Sequence, residues 1–346
     1  MIELLRTPGL SIKHLDEDRR DLIRRFVLRK HVEEGLSLGD LAKLIGNKTS
    51  GYTSWLTRQL GIQPRPFEEA RLKGIHEKVR KYERKPFDGM DEDRAYLLGL
   101  THGDLSISRP FNGAIRVSTS TTHPTMTHLF KSLFQDYGHV YEHPRYKKDT
   151  DTYEWNLSVI LDNSFEFLLQ EFHDVSTWVS EDDKRIFGYL SGLLDADGTI
   201  LVTNDKYGQV YIFVDFYNCD RSLLQWIKDR FSETGYFSSL RRNKAPGTVT
   251  KKYGIVHRRE YLQLSTYGMQ RIYDLLFKLH PRHPEKVLRH SIATSTFKGQ
   301  PYAAIENDII GLRDLIETQK HDYVSVAQRV YESKHPDRKN PPLKAE

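Results

Sequence analysis

From residue 91 onward the chain repeats its own order of elements, and this duplication limits the folds open to it more than any other feature. The first copy reads as an apolar helix over 91–103, strands over 106–108 and 114–120, a helix over 124–136, strands over 139–146 and 153–161, and a helix over 164–172. The second copy reads as a helix over 183–196, strands over 199–203 and 209–217, a helix over 221–233, strands over 236–242 and 254–265, and a helix over 269–279. The order α-β-β-α-β-β-α therefore occurs twice. Self-similarity on this scale means two like half-domains sharing one core, not two unrelated domains. The expected class is α+β, with pseudo-symmetric halves over 91–178 and 179–290.

The two copies are headed by Tyr96-Leu-Leu-Gly-Leu-Thr-His-Gly-Asp-Leu105 and Tyr189-Leu-Ser-Gly-Leu-Leu-Asp-Ala-Asp-Gly198. Aligned, Gly99 matches Gly192 and Gly103 matches Ala196. Residues four apart share one helix face, and small residues there let two backbones come close. Leu97, Leu100, Leu190 and Leu193 supply apolar surface beside them. Asp104 and Asp197 close the two motifs. If the helices pack through their small faces, both carboxylates reach one point.

Two carboxylates at the negative ends of two helices repel each other and the helix dipoles. A divalent cation with a taste for oxygen resolves both conflicts. Mg²⁺ takes a few carboxylates and fills the rest of its shell with water and phosphate oxygens. Such a site activates water and stabilises charge on a phosphodiester under attack. Asp104 and Asp197 are thus the candidate catalytic and metal-binding residues for Mg²⁺, with Mn²⁺ as a substitute; the spacing leaves the number of ions open, two or three among the choices. Asp195 lies two residues before Asp197, off its helix face, and is expected to cap or pair locally.

These motifs resemble those of the LAGLIDADG homing endonucleases of the single-chain, two-motif type. The second copy is nearly the full motif, and the likeness runs through the element order over 91–290. The first departs from it at Thr101, His102 and Leu105. The resemblance implies a DNA-binding saddle whose antiparallel sheets enter the major groove. It also implies that the last acid of each motif is catalytic and that a basic or amide side chain stands by the scissile phosphate. Arg116, Asn156, Asp215 and Gln263 are the auxiliary candidates.

The strands should carry the DNA contacts. The first copy offers Arg109, Asn112, Arg116, Arg145, Lys147 and Lys148. The second offers Asn204, Lys206, Gln209, Arg241, Arg242, Lys244, Lys251, Lys252, Arg258 and Arg259. Arginine reads guanine edges and asparagine or glutamine reads adenine, while most lysines position the backbone. Residues 241–260 hold seven Lys or Arg against one Glu, which favours phosphate contact.

Before the repeat, residues 1–66 read as a helix-turn-helix-like DNA-binding domain. A helix over 16–30 carries Ile23, Phe26 and Val27. Ser37 caps a helix with Leu41, Leu44 and Ile45 on its apolar face. A polar turn over 47–50 leads to a helix over 51–60, with Trp55 and Leu56 inward and Tyr52, Thr53, Thr57 and Arg58 offered to a major groove. Residues 67–90 read as a basic helical linker, with seven Lys or Arg against two Glu over 71–85. The segment 291–346 reads as a helical extension, helical over 302–318, ending in a frayed tail.

Composition narrows the partners. The net charge of +5 permits nucleic acid without demanding it. No apolar run is long enough to span a membrane, and no secretion signal is visible, so a cytoplasmic location is expected. The single Cys219 excludes an internal disulfide and a cysteine-based metal knuckle. The leading expectation is a monomeric, metal-dependent, site-specific double-strand DNA endonuclease. The alternatives are a non-cleaving transcriptional regulator and a maturase binding intron RNA, both on the same scaffold.

Overall fold

The computed structural model describes residues 5, 15–46, 50–63, 82–110, 114–148, 150–207, 209–250, 255–296 and 302–336. Contacts divide the chain into two compact units, Met1–Lys81 and Tyr82–Glu346.

In the first unit, α1 (Glu17–Val27) starts at Asp16, whose carboxylate accepts from the Arg19 amide, and runs on as a π-helical turn, Leu28–Glu33. Glu17 and Asp18 in its first turn and Arg24 and Arg25 in its last match the helix dipole. Helix α2 (Leu38–Leu44) is capped by Ser37, whose Oγ accepts from the Asp40 amide at 3.0 Å. Helix α3 is Ser50–Gln59. Ile23, Val27, Leu41, Ile45 and Leu56 form the small core. Three expectations change here. Thr53 and Thr57 are fully buried, and Thr53 Oγ1 donates to the Leu38 carbonyl at 2.7 Å, so neither reaches a partner. Trp55 faces solvent instead of the core, at 39% exposure. Tyr52 is half-buried and Arg58 exposed.

The expected linker helix does not reach residue 90. Residues 82–90 form an irregular segment on the second unit, where the Lys85 amide donates to the Tyr137 carbonyl and Phe87 packs on Phe165 and Phe167. The rest of the basic stretch, through Lys81, lies outside the described residues.

The second unit holds the repeat. Helix α4 (Asp91–Gly103) leads into β1 (Ser106–Ser108), β2 (Ile115–Thr121), α5 (Pro124–Phe134), β3 (Val140–Lys147) and β4 (Thr152–Leu161). A 3-10 helix, Asn163–Leu169, and α6 (Phe172–Ser180) replace the single helix expected there. Helix α7 (Asp183–Asp197) opens the second half, followed by β5 (Gly198–Asn204), β6 (Val210–Asn218), α8 (Arg221–Glu233) and β7 (Phe237–Lys244). The expected strand over 254–265 is broken. A small ribbon of β8 (Val249–Thr250) and β9 (Ile255–Val256) precedes β10 (Tyr261–Tyr267). Then come α9 (Met269–Lys278), α10 (Pro284–Ser295) and α11 (Tyr302–Lys334).

Two four-stranded antiparallel sheets result, ordered β1-β2-β4-β3 and β5-β6-β10-β7. Alternation along the strands sends Ile115, Val117, Leu157 and Val159 into the core of one half, and Ile200, Val214, Phe216, Leu262 and Leu264 into that of the other. Their partners on the opposite face, Arg116, Ser118, Ser120 and Asn156 among them, face outward. The C-terminal helices are longer than the sequence suggested. Pro284 sits in the first turn of α10, where a missing amide costs nothing. Helix α11 crosses back to the first half, where Tyr323 and Tyr331 pack on Tyr153 and Trp155. There the Trp155 indole donates to the Tyr323 carbonyl at 3.2 Å. Among the described residues no helix is long and apolar enough to cross a membrane.

Candidate active site

The site is built on the contact between α4 and α7. A Cβ added at Gly99 would lie 2.0 Å from the Tyr189 carbonyl oxygen, and one at Gly192 would lie 2.0 Å from that of Tyr96. No side chain fits in either place, so the two backbones touch directly. One turn on, a Cβ at Gly103 would fall 2.3 Å from the Ala196 Cβ. Buried Leu97, Leu100, Leu190 and Leu193 seal the flanks. The helices end side by side, with Asp104 and Asp197 at the shared end.

The two carboxylates feel one another there. Burial first, and the charge of Asp104 second, push the Asp197 carboxyl up to about 7. Burial also pushes the Asp104 carboxyl up, against the pull of Lys286. Asp104 is crowded by protein yet open to solvent on one side. The crowding starves its charge of water, and the opening leaves it reachable. Among the described residues neither carboxylate has an ion-pair partner within 4.0 Å or a side-chain hydrogen bond. No group of three or more His, Cys, Asp or Glu ligands occurs among the described residues. Two carboxylates alone suit a cation that keeps water and takes phosphate oxygens.

Two further side chains reach this place, and motif spacing pointed to neither. Lys286, from the first turn of α10, anchors its ammonium on the Gly198 carbonyl at 2.5 Å. Burial pulls its pKa down, while Glu285 first, then Asp195 and Asp104, help hold its charge. Tyr261 on β10 has its phenol pushed up by burial and then by the charges of Asp197 and Asp104. The one sequence signal for Lys286 is its place two residues after Pro284, a common opening for a helix.

Asp195 does not pair locally. It is buried, and its Oδ2 accepts from the Tyr96 hydroxyl at 2.6 Å and from the Arg282 and His283 amides at 2.5 and 3.0 Å. The auxiliary candidates separate. Arg116 stands exposed on β2, facing Ser108 and Ile160 across the strands. Asn156 accepts from Ser120 at 2.5 Å and meets His143. Asp215 and Gln263 are buried and bonded to each other at 2.8 Å. None of the four hydrogen-bonds to Asp104 or Asp197.

The expected DNA contacts lie on the outer faces and hairpins. Arg145, Lys148, Asn204, Lys206, Gln209, Arg258 and Arg259 are exposed. Arg109 is paired with Glu166, Lys147 lies 3.6 Å from Glu154, and Arg242 lies 2.5 Å from Glu260. The exposed pair of Arg109 and Glu166 contributes little, whereas Glu154 is buried beneath Lys147. Lys244 lies at the end of β7 beside His257. Asn112, Lys251 and Lys252 lie outside the described residues.

Two paired sheets, a close-packed helix pair and an acid at each helix end define a duplicated α+β fold with one shared carboxylate site. The sequence pattern of the LAGLIDADG-like domain family matches residues 184–267, the stretch from α7 to β10. Solved structures of low similarity include mesophilic variants of the homing endonuclease I-DmoI, at 17% identity over 55% of this chain and 95% of that one, with TM-score 0.37. They also include the homing endonuclease I-WcaI bound to its DNA recognition sequence, at 11% identity over 66% and 96%, with TM-score 0.40. A variant of I-SmaMI matches at 8% identity over 65% and 98%, with TM-score 0.37. No curated protein matches this chain.

Proposed function

We propose that this chain is a site-specific double-strand DNA endonuclease that hydrolyses phosphodiester bonds with a divalent cation held by Asp104 and Asp197. One observation carries this reading: two carboxylates, without side-chain partners among the described residues, are delivered to the shared end of one close-packed helix pair. Mg²⁺ fits this donor set because both ligands are hard oxygens and its remaining positions go to water and phosphate. Mn²⁺ accepts the same oxygens. When bound, the cation supplies an acidified water and offsets charge on the phosphate.

The chain's own residues do the rest. Each half contributes one acid, so a single monomer carries both. Lys286 and Tyr261 place a positive charge and a phenol beside the acids. The outward faces of the two sheets contact the duplex, and Tyr52 and Arg58 of the first unit add to that contact.

The test is incubation of the full chain with a duplex library in Mg²⁺ and in EDTA, followed by mapping of ends. Cuts in both strands at one sequence, in Mg²⁺ only, are expected. Selective retention of duplexes with no metal-dependent ends would make the chain a non-cleaving regulator on this scaffold.

A further inference from the structure

Asp215 is a buried carboxylate, 4% exposed, whose neighbours on the outward face of the second sheet form a directed chain. Its Oδ2 accepts from Gln263 Nε2 at 2.8 Å and from the Tyr217 hydroxyl at 3.2 Å. A carboxylate only accepts, so the Gln263 amide must turn its NH₂ toward Asp215. Its Nε2 also donates to Ser265 Oγ at 3.0 Å. The carbonyl end is thereby fixed in the other direction, where it accepts from Arg241 Nε at 3.2 Å and Nη2 at 3.1 Å. Gln263 is left with no amide group to read a base.

Arg241 is exposed. Its Nε edge is spent on Gln263, while among the described residues the end-on edge formed by Nη1 and the second Nη2 hydrogen has no hydrogen-bond partner. That edge matches the O6 and N7 acceptors of guanine in the major groove.

The first half answers this position differently. Ser118 pairs with Ser158 as Asp215 pairs with Ser265. Asn156 therefore corresponds to Gln263. His143 lies across from Asn156 as Arg241 lies across from Gln263. There Asn156 accepts from Ser120 and meets a histidine, with no carboxylate behind it and no guanidinium in front.

We infer that Arg241 is a specificity-determining residue that reads a guanine in one half-site only, and that Asp215 and Gln263 are positioning residues that aim it. This rests on the functional reading above. It gives a nearly symmetric fold a polar target, because equivalent places in the two halves read different bases.

The experiment is selection of randomised duplexes on the full-length protein with Ca²⁺, comparing wild type with Arg241→Lys, Arg241→Ala and Gln263→Leu. Thermal melting checks the fold of each variant. The wild-type consensus should hold one guanine, in one half-site, favoured by about tenfold or more. Arg241→Lys should lose that preference while keeping overall affinity and salt dependence, since the charge remains. Gln263→Leu should weaken the same preference and leave the salt slope unchanged. If Arg241→Lys keeps the guanine preference, or Arg241→Ala weakens all sequences equally, Arg241 is a phosphate contact and the inference falls alone. If the wild type retains no duplex, the functional reading falls and takes this inference with it.

Discussion

The Tyr96 hydroxyl donates to Asp195 Oδ2 at 2.6 Å, crossing from the first motif helix to the second. The pair related to it by the motif alignment is Tyr189 and His102, 2.7 Å apart. His102 Nε2 lies 3.0 Å from the Gln170 carbonyl, which can only accept. The proton therefore sits on Nε2, and Nδ1 accepts from Tyr189. Asp195 and His102 each also hold the segment that follows the helix after their own half's last strand, at Arg282 and His283 after α9 in one case and at Gln170 after the 3-10 helix in the other. The same cross-tie is made once with a carboxylate and once with an imidazole. This explains how His102 stands where the second motif carries Asp195 without loss of the helix pair.

Asp104→Asn and Asp197→Asn should each abolish metal-dependent cleavage while retaining DNA binding. In EDTA at about pH 8 both variants should also melt higher than wild type, by on the order of 1 kcal/mol, because each removes a crowded charge facing another of like sign. Melting curves with and without chelator, alongside the cleavage assay, check this. A variant that melts lower in EDTA would mean the carboxylates stabilise the fold.

Gly99→Ala and Gly192→Ala should each cost about 3 kcal/mol or more. A new Cβ would stand 2.0 Å from a backbone carbonyl oxygen, and a backbone cannot swing aside as a side chain can. Denaturant unfolding measures the loss. Gly311→Ala, with nothing within 4 Å of the added atom, is the control and should be neutral or slightly stabilising.

Lys286→Met should destabilise the metal-free protein near pH 8, since it removes the cation nearest two crowded acids. The loss should be on the order of 1 kcal/mol and should shrink in an Asp197→Asn background. A double-mutant cycle by thermal melting reads the coupling. Equal losses in both backgrounds would reduce Lys286 to a packing residue.

His283 is buried and its pKa is lowered to about 4, by burial first and then by Lys286. Its unfolded value is 6.5. Above that value both states are neutral and stability is full. As pH falls toward 4 the unfolded chain takes up a proton that the folded protein refuses, and stability is lost. His283→Gln stays neutral at every pH, and the backbone bond to Asp195 survives. The stability lost from about pH 7 to about pH 4.5 should therefore be smaller in the variant by roughly 2–3 kcal/mol. Denaturant melts at the two pH values decide it.

A chain beginning at Tyr82 should fold and cut at high concentration, with weaker binding and a shorter footprint. It must start there and not at Asp91, because Tyr82 stacks on His139 and Phe87 packs under the first half. Footprinting of the two lengths on one duplex is the check. An unchanged footprint would give the first unit a role other than DNA contact.

Local spacing along the chain is enough to fix whatever depends on near neighbours. Periodicity placed the motif helices, the cap at Ser37 and the duplicated element order. The four-residue spacing of Gly99 with Gly103 and of Gly192 with Ala196 marked one face of each helix as bare, so the meeting of Asp104 and Asp197 was legible before any fold. Which partners distant segments bring follows from packing across the fold. Lys286 reaches the acids because α10 packs back across the helix pair, and no pattern near residue 286 encodes that path. Thr53 looked like an exposed polar residue, yet packing of α3 on α2 turned it to the Leu38 carbonyl. Asp215, Gln263 and Arg241 are far apart in the chain and meet only through the register of β6, β10 and β7, where a one-residue slip would turn each to the other face. Spacing encodes which face a residue shares with its neighbours, while packing alone encodes what that face meets.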